Sequence, residues 1–285
     1  AVGDFDPVEI DALDQYGLGA AGLADRWAGA SATEVSERLA ASARMPEGEL
    51  GTVAIRSLHS DVRDTFEAAS NRFGDAERTP LPFDLALDGI PGLRGARLSG
   101  PIRDVTDSGP SRVEFSRFAR RGEVAFWIQH LVVCALAAEG IQITPRSVLV
   151  SRVGTGPSKD RVAIFSDVPN ARSELAMFFE WAWSIDVAPL PFFPRTSRLF
   201  AEQRAAAVAS GKEDSSWTNA LQEFYGGDSS RDARPEFEEE LEYARIWEGH
   251  QPLESMPDDL SSFRFDAIAE RFFATLYASR EVAER

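Results

Sequence analysis

The sequence is poor in the residue types that build redox and metal centres. It contains one cysteine, Cys134, and three histidines, His59, His130 and His250, none of them at the spacing of metal ligands. A single cysteine excludes an internal disulfide and argues against a zinc site. Cys134 lies in an apolar stretch, so we expect a small buried hydrophobic residue, and a reducing, cytoplasmic setting fits this composition.

Long apolar runs and lysines are also scarce. The longest apolar run, 124–138, is interrupted by Gln129 and His130. It falls short of the roughly 18 residues that a membrane span requires, so we expect no membrane contact. Only two of the 30 basic residues are lysines, Lys159 and Lys212. This matters because several phosphate-binding motifs require a lysine.

Negative charge dominates the composition. The net charge is −16 over 285 residues, with 46 acidic side chains against 30 basic ones. A chain this acidic should not bind the nucleic-acid backbone non-specifically. Any contact with DNA must therefore be local or supplied by a partner.

Residues 1–78 have the periodicity of helices. Ser31 and Glu34 fit a capping box at the start of one helix. Apolar residues then recur every three or four positions between Leu50 and Phe73, which places them on one face of a longer helix. We therefore predict an N-terminal helical segment.

Short strands predominate at the start of the second predicted domain, 79–285. Alternating apolar residues and glycine-rich turns predict strands at 97–105 and 112–118, followed by a buried helix at 124–138. Segment 227–262 is acidic and irregular, which is typical of an exposed insertion. The fold class is therefore α/β (α+β), with a mixed sheet flanked by helices. The nuclease motif and the family resemblance given below imply that this sheet is restriction-endonuclease-like.

Two further helices are predicted near the C-terminus. A proline-rich entry, "PLPFFP", precedes a helix that we expect Thr196 or Ser197 to cap. The last amphipathic pattern, 263–285, predicts one helix with Phe272 and Leu276 facing inward.

The stretch "GPIRDVTDSGPSRVEFSRF" carries one carboxylate on each of two neighbouring predicted strands, Asp104 and Glu114. A magnesium nuclease of the PD-(D/E)XK type needs an Asp on one strand and an acidic residue, any residue, then Lys on the next, so that carboxylate oxygens hold the metal. Here Arg103 occupies the Asp position, and Asp104 lies one place later, where a strand turns its side chain to the opposite face. Ser116 occupies the lysine position.

The helix after these strands also departs from the nuclease pattern. In nucleases that process DNA ends it begins Q-x-x-x-Y, whereas this chain has Gln129 followed by Val133. The positive charge of Arg103 would repel a cation. We interpret the positions as a decayed site and expect no catalytic residue, no bound metal and no cofactor. The positions are Arg103, Asp104, Glu114, Ser116, Gln129 and Val133.

Two alternatives to a decayed site stay open. Asp104 and Glu114 could hold Mg²⁺ in an active nuclease, with Arg117 replacing the lysine. They could also be ordinary exposed strand residues.

Arginines form the densest basic cluster just after the second of these strands. The cluster comprises Arg117, Arg120 and Arg121, with Arg112 nearby. We predict that these side chains contact a DNA strand through its phosphates. The alternative is a solvated strand end and helix start.

Several segments resemble the C-terminal region of the gamma subunit of exodeoxyribonuclease V, the RecC family. "LRGARLSGPIRDV" is similar to the family's "l-G-rLtGwlddl", and "PLPFFPRTSRLFAE" to its "PLpf-p-tS-ay". "RGEVAFWIQHLVVCALA" resembles "-d-l-lWieHLalcA", with Trp127, His130, Leu131 and Cys134 in register. The segments follow the family's order and cover nearly the whole chain.

This resemblance implies a nuclease fold without a working site, in a helicase–nuclease that unwinds and degrades DNA from double-strand ends. It implies a non-catalytic role as a scaffold that guides DNA. The implied partners are RecB-like and RecD-like subunits, one of which carries the active nuclease, and the DNA that passes through the complex. An active Mg²⁺-dependent nuclease and a stand-alone acidic interaction domain are the alternatives.

Overall fold

The computed structural model describes most of the chain. The described residues are 12–42, 44–46, 48–74, 76–87, 95–116, 121–152, 162–185, 189–226, 235–239, 241–247, 251–253 and 263–283. None of the helices within these ranges is both long and apolar enough to cross a membrane.

Three helices open the described chain: α1 (Ala12–Trp27), α2 (Ala32–Ala40) and α3 (Gly48–Phe73). The capping box predicted for α2 is present. The hydroxyl of Ser31 accepts from the backbone N–H of Glu34, and the Glu34 carboxylate accepts from the backbone N–H of Ser31. The prediction of an N-terminal helical segment is confirmed.

A six-stranded mixed sheet follows. Its strands are β1 (Thr79–Ala86), β2 (Arg97–Thr106), β3 (Gly109–Glu114), β4 (Ser147–Ser151), β5 (Val162–Phe165) and β6 (Arg280–Ala283), in that spatial order. All neighbours are antiparallel except β3 and β4, which are parallel. The parallel pair requires a crossover, and α4 supplies it.

Helices surround the sheet in the second half of the chain. They are α4 (Arg121–Ala138), α5 (Ala171–Ser184), α6 (Pro194–Ser210), α7 (Ser216–Tyr225), α8 (Glu236–Glu239), α9 (Leu241–Ile246) and α10 (Phe265–Ser279). The predicted α/β (α+β) class is therefore confirmed, as is the buried helix that follows the third strand.

The central strands are covered on both faces. On β4, Val148 and Val150 pack with Phe73 of α3, whereas Leu149 between them packs with Trp127 of α4. Side chains of a strand alternate between its two faces. The N-terminal helices therefore lie on one face of the sheet and α4 on the other, and both layers share core side chains with the strands.

Strand β1 is an edge strand that carries two prolines. The N–H of Leu87 donates to Ala96 on the β2 side. Backbone groups of alternate residues point to the same edge, so those of Pro80 and Pro82 point away from β2. Proline has no N–H. At these two positions the missing donor removes no hydrogen bond from the sheet, because the backbone there points away from β2.

Four sequence predictions differ from the structure. Helix α6 begins at Pro194, so Thr196 and Ser197 lie inside it and are not its N-cap. Strand β3 begins at Gly109 and ends at Glu114, earlier than predicted, because it pairs with the turn-side end of β2. The last helix ends at Ser279, since the chain then pairs with β5 as β6. Trp247, within the predicted acidic insertion, is buried among helices α6, α7 and α10, so that segment is not exposed throughout.

Candidate functional site

The predicted site positions on β3 and α4 meet through one arginine. Arg112 lies two residues before Glu114, so both side chains point from β3 toward α4. The Arg112 guanidinium lies 3.4 Å from Oε1 of Glu114 and donates to the side-chain oxygen of Gln129 at 2.8 Å. The Ser116 hydroxyl donates to Oε2 of Glu114 at 3.2 Å. We call these four residues the Glu114 cluster.

The Glu114 cluster is largely shielded from water. The side chains of Arg112 and Glu114 are 21% and 20% exposed. The guanidinium also lies over the ring of Phe126, 5.3 Å from its centroid. Its positive charge is thus held against Glu114 by a hydrogen bond to Gln129 and an aromatic face.

Glycine at position 122 lets the Glu114 carboxylate approach the first turn of α4. A β-carbon at Gly122 would lie 2.0 Å from Oε2 of Glu114, which is far too close for two non-bonded atoms. The N-terminal end of a helix carries partial positive charge, which favours a carboxylate. Glu114 is therefore stabilised by Arg112 and by the helix end, both of which belong to this chain.

The end of β3 is also held from the opposite face. Phe115 is 3% exposed and packs with the apolar side chains of α1, α2 and α3. It lies so close to α1 that a β-carbon at Gly19 would be 1.9 Å from its ring. Arg152 covers the ring from outside, 5.1 Å from its centroid. The position of Glu114 is thus fixed by packing on both faces of the sheet.

Asp104, the other candidate carboxylate, lies in a bulge of β2. Thr79 pairs with Val105 and Leu81 with Ile102, so two residues of β2 face the single residue between them. Asp104 accommodates the extra residue of the bulge by adopting a left-handed backbone conformation, with φ 54°. Asp is one of the few residues that adopts this conformation at low cost.

The bulge leaves Asp104 near a different arginine from the one that holds Glu114. Burial lowers the pKa of Arg78, and the charge of Asp104 opposes that shift. Arg78 stacks on Trp27 and Phe73, at 4.2 and 5.1 Å from their ring centroids. Asp104 therefore lies toward the face of the sheet that α1 and α3 cover, whereas Glu114 contacts α4 on the opposite face.

The remaining predicted positions are separated as well. Arg103 is exposed on β2, and Val133 is fully buried in the core that α4 forms with the sheet. Within the part of the chain that the structure describes, no three His, Cys, Asp or Glu side chains are grouped so that they could hold a metal ion. The structure thus unites Glu114, Ser116 and Gln129 and leaves Arg103, Asp104 and Val133 apart from them.

The predicted DNA-binding arginines are placed only in part. Arg112 is directed inward, into the Glu114 cluster. Arg117 and Arg120 lie outside the described residues, and Arg121 is the first residue of α4. Arg112 was predicted to contact DNA together with its basic neighbours, whereas its side chain makes internal contacts with Glu114 and Gln129. Its spacing of two from Glu114 on a strand was the signal that could have revealed the pair.

His130, conspicuous in the sequence, is a core residue. Its side chain has no exposed surface, and its Nε2 lies 2.9 Å from the carbonyl oxygen of Ser166. A carbonyl only accepts, so Nε2 carries the hydrogen and Nδ1 accepts from the Ser147 hydroxyl at 2.9 Å. Burial lowers the pKa of His130 to about 4 and raises that of the neighbouring Cys134 thiol to about 12. The prediction of a buried cysteine is confirmed.

Comparison with known proteins identifies a family. The sequence model of the RecC C-terminal domain matches residues 1–205, from the N-terminus into α6. The match includes β2, β3, α4 and the whole Glu114 cluster. The curated proteins give no match to this chain.

Proposed function

Because this chain belongs to the RecC C-terminal domain family, we propose that it is a non-catalytic scaffold and DNA-guiding part of a RecBCD-type ATP-dependent helicase–nuclease that processes DNA double-strand ends for recombinational repair. RecC is a subunit of the exodeoxyribonuclease V complex. In this proposal the protein partners are RecB-like and RecD-like subunits, and DNA reaches the chain through the complex.

The observation that carries the non-catalytic half of the proposal is the position of Arg112. Mg²⁺ needs several oxygen ligands at about 2.0–2.1 Å. The carboxylate of Glu114 is instead engaged by Arg112, Ser116 and the start of α4. A cation next to Glu114 would meet a fixed guanidinium, and at low dielectric two positive charges a few ångströms apart repel strongly. The proposal therefore includes no resident metal and no cofactor.

Digestion of end-labelled single- and double-stranded DNA in Mg²⁺ and in Mn²⁺ tests this half. We expect the purified chain to leave both substrates intact, because Glu114 is not available as a ligand. The matched variants are Glu114→Ala and, as a control on an exposed acidic residue, Glu213→Ala. Metal-dependent cleavage that Glu114→Ala abolishes and Glu213→Ala preserves would show an active nuclease and overturn the proposal.

The DNA-guiding half rests on three arginines of the sequence segment that leads into α4, Arg117, Arg120 and Arg121. The chain as a whole is acidic, so a strand that passes it needs a local basic surface. Reversal of Arg117, Arg120 and Arg121 to Glu should weaken end-unwinding by the assembled complex, most strongly at low salt, where these charges are least screened. Reversal of Arg38, Arg63 and Arg264, which are exposed and paired with acidic neighbours, is the control. Equal unwinding by both triple variants across a salt series would reject a DNA contact here.

A further inference from the structure

A second concave site lies at the other end of β3 from the Glu114 cluster. The cavity has a volume of about 590 Å³ and is formed where β1 begins, where β2 turns into β3 and where the chain leaves α4. Its volume falls within the roughly 300–1,000 Å³ of ligand pockets. We call it the rim cavity. No predicted site residue lines it.

The charged groups of the rim cavity are all negative. Glu77 and Asp107 line it and are exposed, and no lysine or arginine is among its lining residues. No ion pair found between described residues involves either carboxylate. Some other exposed carboxylates of this protein, such as Asp84, are paired with arginine. The rim cavity therefore offers two carboxylates to a positive group from outside.

Four partly exposed apolar side chains lie among the mostly polar groups that line the rim cavity. Ile141 is 45% exposed, an unusual amount for an isoleucine, and Ile143, Leu81 and Val105 are half-buried. The Thr144 hydroxyl donates to the carbonyl of Asp107 at 3.0 Å, which ties the segment after α4 to the turn between β2 and β3. The cavity is thus a braced, mostly polar trough that has exposed isoleucine side chains and an acidic rim.

At the rim cavity, the outer edge of β1 offers backbone carbonyl groups as hydrogen-bond acceptors and lacks one backbone N–H donor. Pro80 lines the cavity, and its backbone points to the edge of the sheet that no described strand covers. Proline offers a carbonyl there and no N–H. A ligand that fits must bring hydrogen-bond donors and a positive charge on an apolar stem, which is the chemistry of arginine and lysine side chains.

We propose that the rim cavity docks an arginine or lysine side chain presented by an extended segment of a partner protein. The methylene stem would lie between Ile141 and Ile143, and the charged end would meet Glu77 and Asp107. A nucleic-acid strand does not suit the site, because its phosphates would face these two carboxylates. This inference depends on the proposed scaffold role in one respect, namely that the partner is a protein.

Titration of the full chain with short peptides, followed by NMR of the isoleucine methyl groups, tests the docking site. The probes are acetyl-Leu-Arg-Leu-amide and the same peptide with Gln in place of Arg. We expect the methyl signals of Ile141 and Ile143 to shift with the Arg peptide, which should bind roughly threefold or more tightly than the Gln peptide. In the double variant Glu77→Gln, Asp107→Asn this preference should disappear, whereas Glu213→Gln should keep it.

Two results would overturn the docking site. One is equal binding of the Arg and Gln peptides, which would indicate a generic apolar pocket. The other is an Arg preference that survives loss of both carboxylates. Co-purification with RecB-like and RecD-like subunits separates this inference from the scaffold role. Assembly without Arg selectivity rejects the docking site alone, and Arg selectivity without assembly rejects the scaffold role alone.

Discussion

His130 couples the stability of the core to pH. The imidazole is fully buried in its neutral form, with Nε2 donating to Ser166 and Nδ1 accepting from Ser147. Its pKa of about 4 in the fold lies below the value of 6.5 of an unperturbed histidine. The unfolded chain therefore binds more protons than the folded chain between these two values. The resulting stabilisation is complete above about pH 6.5 and is lost as the pH falls toward 4.

We expect the free energy of unfolding to fall by about 2 to 3 kcal/mol between pH 7.5 and 4.5 through this one side chain. Urea denaturation at both pH values measures the change. His130→Gln should be less stable at pH 7.5 but should lack this part of the pH dependence. His59→Gln, at a histidine outside the core, should retain it. The same pH dependence in wild type and His130→Gln would show that His130 does not cause it.

Helix α6 depends on a residue distant in the chain. Phe193 precedes the helix and its side chain cannot cap it. The carboxylate of Glu236, from α8, accepts instead from the backbone N–H groups of Arg195 and Thr196 at 3.1 and 2.7 Å. Glu236 is only 6% exposed, so water cannot replace it. The segment predicted as an exposed insertion thus supplies the cap of a central helix.

Glu236→Ala should destabilise the protein by about 2 to 4 kcal/mol, because two buried N–H groups lose their acceptor. Glu236→Gln keeps one acceptor oxygen and should cost less. Glu238→Ala, at an exposed position on the same short helix, is the control and should change stability by less than about 0.5 kcal/mol. Thermal unfolding of the three variants provides the comparison, and equal melting temperatures for Glu236→Ala and Glu238→Ala would contradict the capping role.

Elements set by local pattern could be predicted from the sequence, and those set by distant partners could not. The strand predicted at 97–105, the capping box at Ser31 and the apolar surface of α4 are local, and the structure confirms each. Strand β6 was predicted as helix because Glu281 and its neighbours suit a helix, and only pairing with β5 makes them a strand.

The same distinction between local sequence pattern and contacts with distant segments applies to the candidate site. Glu114 was predicted on a strand, and it lies at the end of β3, because the pattern that predicts a strand is local. The bulge at Asp104 and the contact between Arg112 and Gln129 were missed. Both depend on how separate segments meet in space.

At the scale of the whole molecule, the N-terminal helices form one layer of the sandwich. Ala69 and Phe73 of α3 pack on the sheet face made by β4 and β5. Without them that face would expose an apolar patch that includes Val148, Val150 and Ile164. Patches of this kind in a soluble domain lead to association or aggregation.

Deletion of residues 1–78 should therefore give a protein that aggregates or binds a hydrophobic dye such as ANS. The point variant Ala69→Asp, which buries a charge at the same interface, should be destabilised in the full chain, whereas Ala76→Asp, at an exposed position, should not. Size-exclusion chromatography and dye binding report the result. A monomeric deletion variant that binds no dye would show that residues 79–285 are complete without the helical layer.

The prolines of β1 determine which edge of the sheet can pair with a strand of another molecule. A strand from a second molecule cannot extend the sheet beside Pro80 and Pro82, because the outward edge there lacks two of its donors. At the opposite end, β6 has no proline, and no described strand pairs on its outer side. Any polymerisation of this protein through its sheet should therefore start at β6, and a fusion partner that shields β6 should improve solubility more than one that shields β1.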